Sequence, residues 1–385
     1  MHSDIVIIGA GIGGLTTALA LQRQGFRPRV FEKSPEVGDI GAGIMLTPNS
    51  VKCLKYIGLE SALVDHAIEP LESVYREYDT AEIILSAPLK DTMEATYGAK
   101  YFHIHRADLL SILSSAVLHN DANAIQLGYN HTYSIDKVSY ISSFFENMNP
   151  VRSDIVIGCD GIHSVVRKNL FGDEEARYTG QVAWRGMVPS KTLPKSINSQ
   201  GSVSWLGRNK HIIHYGVRNE DYINYVAIVA EDQWTEDGWV KLAEVSELLD
   251  QFKDWHSDVR QLLSNTPKAA CYKWGLFDRK PLINWTNGRT TLLGDAAHPM
   301  LPFMAQGSAM AIEDAIVLAR SLSNYTNVEK AFLSYQNVRI ARANRLVEKS
   351  RGATKVYQNP TGDKEQQRAE AIREVYGYDA TTVII

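Results

Sequence analysis

Gly9, Gly11 and Gly14 stand at GxGxxG spacing, with Gly13 among them, directly after the apolar run Ile5-Val6-Ile7-Ile8. Glycines so placed remove side chains, so that backbone N–H groups and the positive end of the next helix can meet a pyrophosphate. Ile12, Leu15 and Leu19, with Ala18 beside them, form one apolar helix face. A second strand, Arg29-Val30-Phe31, then ends on Glu32, 18 residues past Gly14. An acid there is placed to hydrogen-bond a ribose diol and disfavours a 2′-phosphate. Strand, glycine turn, helix and acid in register predict a bound dinucleotide; the bland alternative is a helix packed closely on a strand for steric reasons alone.

Two further stretches have the same strand-to-turn character. Asp154-Ile155-Val156-Ile157 runs into Gly158-Cys159-Asp160-Gly161, with Ser164 and Arg167 close behind. Asp160 there either caps a helix or faces a ligand. The third stretch, Gly288 to Pro299, contains Gly294-Asp295 and leads through Pro302, Phe303 and Gln306-Gly307 into a helix over Ser308–Leu322. Glu313 and Asp314 on that helix are expected to be solvated or to cap neighbours. Arg106 sits where a strand from Tyr101 passes into an amphipathic helix, placed to contact a phosphate or to pair with Asp108. The glycine-rich loop Gly38–Ile44 either brings backbone close to a flat ligand or is a surface turn.

The elements that must position these residues follow from periodicity. Between Gln181 and Ala230, VAWRGMV, GSVSWLG, HIIHYGV and YINYVAIVA are spaced by turn residues, as in an antiparallel sheet. Ser73–Leu85 alternates like a two-stranded ribbon, Asp232–Asn265 is helical in period, and Val328–Ala380 is helical and charged. The expected fold is α/β. Residues 1–72, 101–180 and 270–350 build a discontinuous Rossmann-like domain, 73–100 and 181–269 an antiparallel substrate sheet, and 351–385 a helical C-terminus.

The 385 residues carry a formal charge of −4 and three scattered cysteines. That balance offers no electrostatic footprint for nucleic acid or an anionic membrane. Cysteines without a CxxC pair give no disulfide framework, and no metal site is expected. No run is long enough to span a bilayer, and the first strand begins too early for a signal peptide. The expected setting is cytoplasmic.

The three stretches, in this order, resemble the single-component FAD-dependent aromatic hydroxylases related to p-hydroxybenzoate hydroxylase, from Ser3 to about Arg351. GDAAHPMLPFMAQGSAMAIEDA and HIIHYGVRNEDYINYV are similar to the branch containing salicylate hydroxylase, 3-hydroxybenzoate 6-hydroxylase and 6-hydroxynicotinate 3-monooxygenase. Tyr376-Gly377-Tyr378-Asp379 is similar to the last of these, while Met45 and Leu301 depart from its polar residues. The resemblance implies FAD, held without a covalent bond by Gly9, Gly11, Gly13, Gly14, Glu32, Lys33, Arg106, Asp160, Gly161, Gly294, Asp295 and Gly307. It implies NADH or NADPH as co-substrate, a small aromatic acid and O₂ as substrates, a flavin C4a-hydroperoxide as oxygen donor, and a monomer or homodimer.

The implied chemistry needs an activated ring. A phenol of pKa ~10 is ionised in about one molecule in 10³ at neutral pH, a deficit of roughly 4 kcal/mol that a base recovers in part. His214 is the expected base, with His211 as its rival. Ile212, which shares the strand face of His214, is expected to line the substrate together with Tyr215 and Phe303. Pro299 and Pro302 stiffen the loop at the flavin, and the helix after Gln306-Gly307 favours negative charge there. A flavin-free dehydrogenase, a non-catalytic carrier on the same fold and a flavin monooxygenase for a larger heterocycle are the competing readings.

Overall fold

The computed structural model describes residues 4–38, 42–197, 201–235, 238–358 and 372–385, with backbone only over 353–358. The middle of the Gly38–Ile44 loop thus lies outside the described residues. The first apolar run forms the centre of a six-stranded sheet because it is buried on both faces, Ile5–Ile8 being at most 3% exposed. Its order is Thr286–Asn287, Thr290–Leu292, Ile155–Gly158, Ile5–Ile8, Pro28–Glu32, Ile125–Leu127. All pairs are parallel except the first, with Ile5 opposite both Ile155 and Pro28. The helix Ile12–Arg23 packs on it, and the helix Gly307–Asn324 packs on that helix. The turns after Ile8, Gly158 and Leu292 all leave carboxyl ends of parallel strands, which gathers the three stretches at one edge.

The aromatic segments build an eight-stranded sheet ordered Val240–Leu242, Tyr272–Asp278, Arg177–Pro189, Tyr222–Ala230, Lys210–Val217, Ser202–Gly207, Glu72–Glu77, Ile83–Pro88. Its pairs are antiparallel apart from Ser202–Gly207 against Glu72–Glu77. The ribbon at Glu72–Pro88 is the margin of this sheet. One segment differs from expectation: Tyr272–Asp278, expected in the cofactor segment, pairs with Arg177–Pro189.

The large sheet has two unlike faces. One is sealed by the helices Val245–Gln251 and Ser257–Ser264 in a core of Trp184, Trp205, Tyr225, Phe252 and Leu262. The other turns to the cofactor lobe, where a small ribbon, Gly43–Leu46 with Phe102–His105, bridges the lobes. The Gly43 amide donates to Asn224 Oδ1 at 2.8 Å, and a Cβ on Gly43 would stand 2.7 Å from Tyr215. Among the described residues no helix is long and apolar enough to cross a membrane, and no His, Cys, Asp or Glu cluster is arranged to hold a metal.

Candidate active site

The four glycines of the first turn have different tasks. A Cβ on Gly14 would lie 1.9 Å from the Gly9 carbonyl oxygen, on Gly9 2.5 Å from that of Cys159, and on Gly13 2.9 Å from Leu293. These three let strand, helix and the third stretch close together. Gly11 differs: a Cβ there meets no atom within 4 Å, so its missing side chain leaves space in front of the turn. Gly11 is also the N-cap of Ile12–Arg23 without a side-chain cap, and Gln306 likewise leaves Gly307–Asn324 uncapped by a side chain. Two helix starts with unsatisfied N–H groups, next to a cradle that a Cβ would fill, fit an anionic pyrophosphate cofactor.

Glu32 turns back on that loop. Its carboxylate accepts from the Ala10 amide at 2.7 Å and the Ser34 amide at 2.9 Å, which fixes it half-buried beside the cradle. Lys33 is exposed next to it. Asp160 accepts from Ser164 Oγ at 2.5 Å and from the amides of Val165 and Val166 at 2.7 and 3.0 Å. Asp160 therefore caps the start of the helix Val165–Phe171, and Gly161 follows at φ +74°. Arg106 opens the helix Arg106–Asn120, while Asp108 is gripped by Arg218 at 2.8 and 3.1 Å. Gly294 has φ +63°, and Asp295 beside it is exposed.

Glu313 and Asp314 depart from expectation: both are fully buried. Asp314 accepts from His298 Nε2 at 2.6 Å, Arg339 Nε at 2.7 Å and the Gly294 amide at 3.1 Å. Glu313 is held by Arg342 at 2.8 Å, Arg339 at 2.7 Å and Asn49 at 2.7 Å. Burial alone would raise both carboxyls, but Arg339 and Arg342 lower that of Glu313, and His298, followed by Arg339, lowers that of Asp314 to about 2. Asn49 also donates to Gln306 Oε1 at 2.9 Å, and Gln306 Nε2 donates to Thr47 at 3.0 Å. The Gln306 side chain is thus part of the bracket. Together the network clamps the loop from Gly294 to Gln306, including buried Pro299, from behind.

The assignment of His214 is corrected by the strand geometry. Alternation sends Ile212 and His214 to the helix-sealed face, where Ile212 joins the Trp184 core and His214 Nε2 accepts from Trp205 Nε1 at 3.1 Å. His211, Ile213 and Tyr215 take the cofactor-side face. The His211 ring lies 5.7 Å from that of Phe303, which packs with Leu301, Ala183, Ile228 and Leu276. The Tyr215 ring lies 4.5 Å from His103. Burial brings His211 and His103 down to about 3 and pushes the Tyr215 hydroxyl up against the opposing charge of Arg185. Of the expected substrate contacts, Tyr215 lies on this face and Phe303 packs over its His211 end from the loop, whereas Ile212 is in the helix-sealed core. His103 was missed; its place opposite Met45 in the bridging ribbon depends on a pairing 58 residues apart in sequence.

The profile of the family described as "FAD binding domain" matches residues 2–350. A 6-hydroxynicotinate 3-monooxygenase from Pseudomonas fluorescens is 35% identical over 89% of this chain and 89% of its own length. A 3-hydroxybenzoate 6-hydroxylase from Aquipseudomonas alcaligenes is 33% identical, covering 96% of this chain and 93% of its own. Among solved structures, an HpxO variant from Klebsiella pneumoniae complexed with FAD superposes with a TM-score of 0.83 at 25% identity, over 98% of this chain and 95% of its own. A salicylate hydroxylase substrate complex shares the fold with a TM-score of 0.82 at 24% identity, over 98% and 96%. A matched profile over most of the chain, two relatives above 30% identity and a cradle that fits the cofactor lead to one assignment: the chain belongs to the FAD-binding-domain family, as an FAD-dependent aromatic-ring monooxygenase.

Proposed function

We propose that this enzyme hydroxylates a small aromatic acid carrying a ring hydroxyl, with NADH or NADPH as reductant and O₂ as oxygen source, on the cofactor-side face of the large sheet. The observation carrying the proposal is the placement of His211 and Tyr215 on that face, with Phe303 of the clamped loop packed over it at His211. FAD held by Gly11, Glu32 and the two uncapped helix starts would supply the chemistry that activates oxygen. Phe303, Ile213 and Val226 would hold the ring and keep water away from it.

His211 would accept a hydrogen bond from the ring hydroxyl at one imidazole nitrogen. An imidazole near 3 does not take a phenolic proton outright, since the gap to ~10 is about seven units, or roughly 9–10 kcal/mol. It stays neutral and polarises the O–H bond, increasingly so as the ring is attacked. Tyr215, kept protonated, would donate a hydrogen bond to the same oxygen.

His211→Gln tests this reading. It should retain FAD and aromatic-stimulated NADH oxidation, yet lose about 10²-fold in hydroxylation rate, with the missing product appearing as H₂O₂. The wild-type hydroxylation rate should show no histidine ionisation between pH 5 and 9. Tight coupling in His211→Gln, or an acid limb centred near 6.5 in wild type, overturns the assignment of His211.

A further inference from the structure

The cofactor-side face of the sheet can be followed row by row through its register. Tyr215 lies opposite Asn224, and both are buried under the bridging ribbon. His211 lies opposite Ile228, and Ile228 opposite Ala183; all three are buried, with Phe303 and Leu301 in the cover. Between them runs the row Ile213–Val226–Arg185, each member paired with the next and each only half-buried. The cover over this face therefore opens above that row.

Arg185 is the cation of the row. Its Cζ lies 5.2 Å over the Trp274 ring, which holds the guanidinium against the sheet. Its charge reaches Tyr215, where it opposes the upward push of burial on the hydroxyl. An apolar floor of Ile213 and Val226 with one planar, permanently charged fork at its end suits a flat anion. A guanidinium binds a carboxylate bidentately, which fixes orientation as well as charge. Held at Arg185, a benzoate-sized molecule would have its ring over Val226 and Ile213 and its far edge toward His211 and Tyr215.

We infer that Arg185 anchors the substrate carboxylate and sets the preference of the enzyme for anionic rings. This rests on the hydroxylase reading above and names the residue that selects the acid. The test uses the FAD-loaded enzyme with two probes of equal shape, 3-hydroxybenzoate and its neutral amide, 3-hydroxybenzamide, each titrated against the flavin absorbance. Wild type should bind the acid at least tenfold more tightly than the amide. Arg185→Met keeps an unbranched apolar side chain against Trp274. It should weaken the acid about 30-fold or more while leaving the amide within threefold, and Arg185→Lys should recover part of the loss. Unchanged FAD content and melting temperature in both variants would show that the fold is intact. Equal affinity of wild type for acid and amide, or an unchanged acid-to-amide ratio in Arg185→Met, overturns the anchor while leaving the hydroxylase reading standing. A wild-type flavin that responds to neither probe, together with no aromatic stimulation of NADH oxidation, removes both.

Discussion

Behind the loop from Gly294 to Gln306 lies a cluster of charges, and in front of it a face of aromatic rings and histidines; both are buried and they respond in opposite ways. Glu313 and Asp314 are withdrawn from water but meet Arg339, Arg342 and His298, and their carboxyls are lowered. His103 and His211 are withdrawn to a similar degree, and burial brings them to about 3. Burial thus does not decide a group's charge by itself; the company it is buried with does. The charged side fixes the loop through ionic hydrogen bonds, while the aromatic side keeps its imidazoles neutral and able to accept.

The largest expected effect comes from breaking the charged side. Asp314→Ala leaves Arg339 with one carboxylate in place of two and releases the Gly294 amide and His298 together. Removing one partner of a buried pair destabilises by about 3–5 kcal/mol. The urea midpoint should fall accordingly and FAD should dissociate more readily, since the loop would lose its anchor. A midpoint shift equivalent to less than about 1 kcal/mol would mean that the bracket contributes little to the fold.

The second prediction sets the two sides apart by pH. The His103 pKa in the folded protein lies below the ordinary 6.5, so the unfolded chain takes up its proton first. The stability that neutral His103 contributes is complete above about pH 6.5 and declines as pH falls from there toward 3. The slope is about 1.4 kcal/mol per pH unit. Asp314 lies below its ordinary 3.8, so its contribution is kept above that value and lost only between about 3.8 and 2. Between about pH 6.5 and 4.5 His103 responds and the carboxylates Glu313 and Asp314 do not. His211, near 3, and His131 and His214, each brought down to about 4, add to the same limb, so the variant removes only the share of His103. His103→Phe should flatten the wild-type slope of urea midpoint against pH in that window. An unchanged slope would mean that His103 is protonated in the folded protein.

Much of this arrangement was legible in the chain. The change of period at Gly9, from a buried strand to an amphipathic helix, marks a parallel βα unit whatever follows. Burial of Glu313 and Asp314 was not, because their partners Arg339 and Arg342 lie on a separate helix, Val328–Gln358, and only packing brings them together. The two faces of Lys210–Val217 were harder still. Alternation identifies a face when one side is polar, but His211, Ile212, His214 and Tyr215 are all buried. Periodicity separates His211 from His214 without saying which side meets the cofactor. That choice is made by Trp205 and the helices behind it on one side, and by Phe303 and His103 on the other.

The smallest effect should come from His214, and it sharpens the comparison by serving as the control for His211. His214 Nε2 is the acceptor for Trp205 Nε1, both side chains lying in the helix-sealed core. A buried indole N–H without an acceptor costs about 1–3 kcal/mol, so His214→Leu should destabilise by that amount. His214→Gln can present an amide oxygen to the indole and should lose about 1 kcal/mol or less. Neither variant touches the face that carries His211, Tyr215 and Arg185. Hydroxylated product formed per NADH consumed should therefore match wild type from pH 6 to 9 in His214→Gln, while His211→Gln releases H₂O₂. Measuring both ratios beside the two urea midpoints separates a substrate-facing acceptor from a core acceptor on one strand. Uncoupling in His214→Gln with a normal midpoint would place the substrate on the helix-sealed side and reverse the assignment of the two faces.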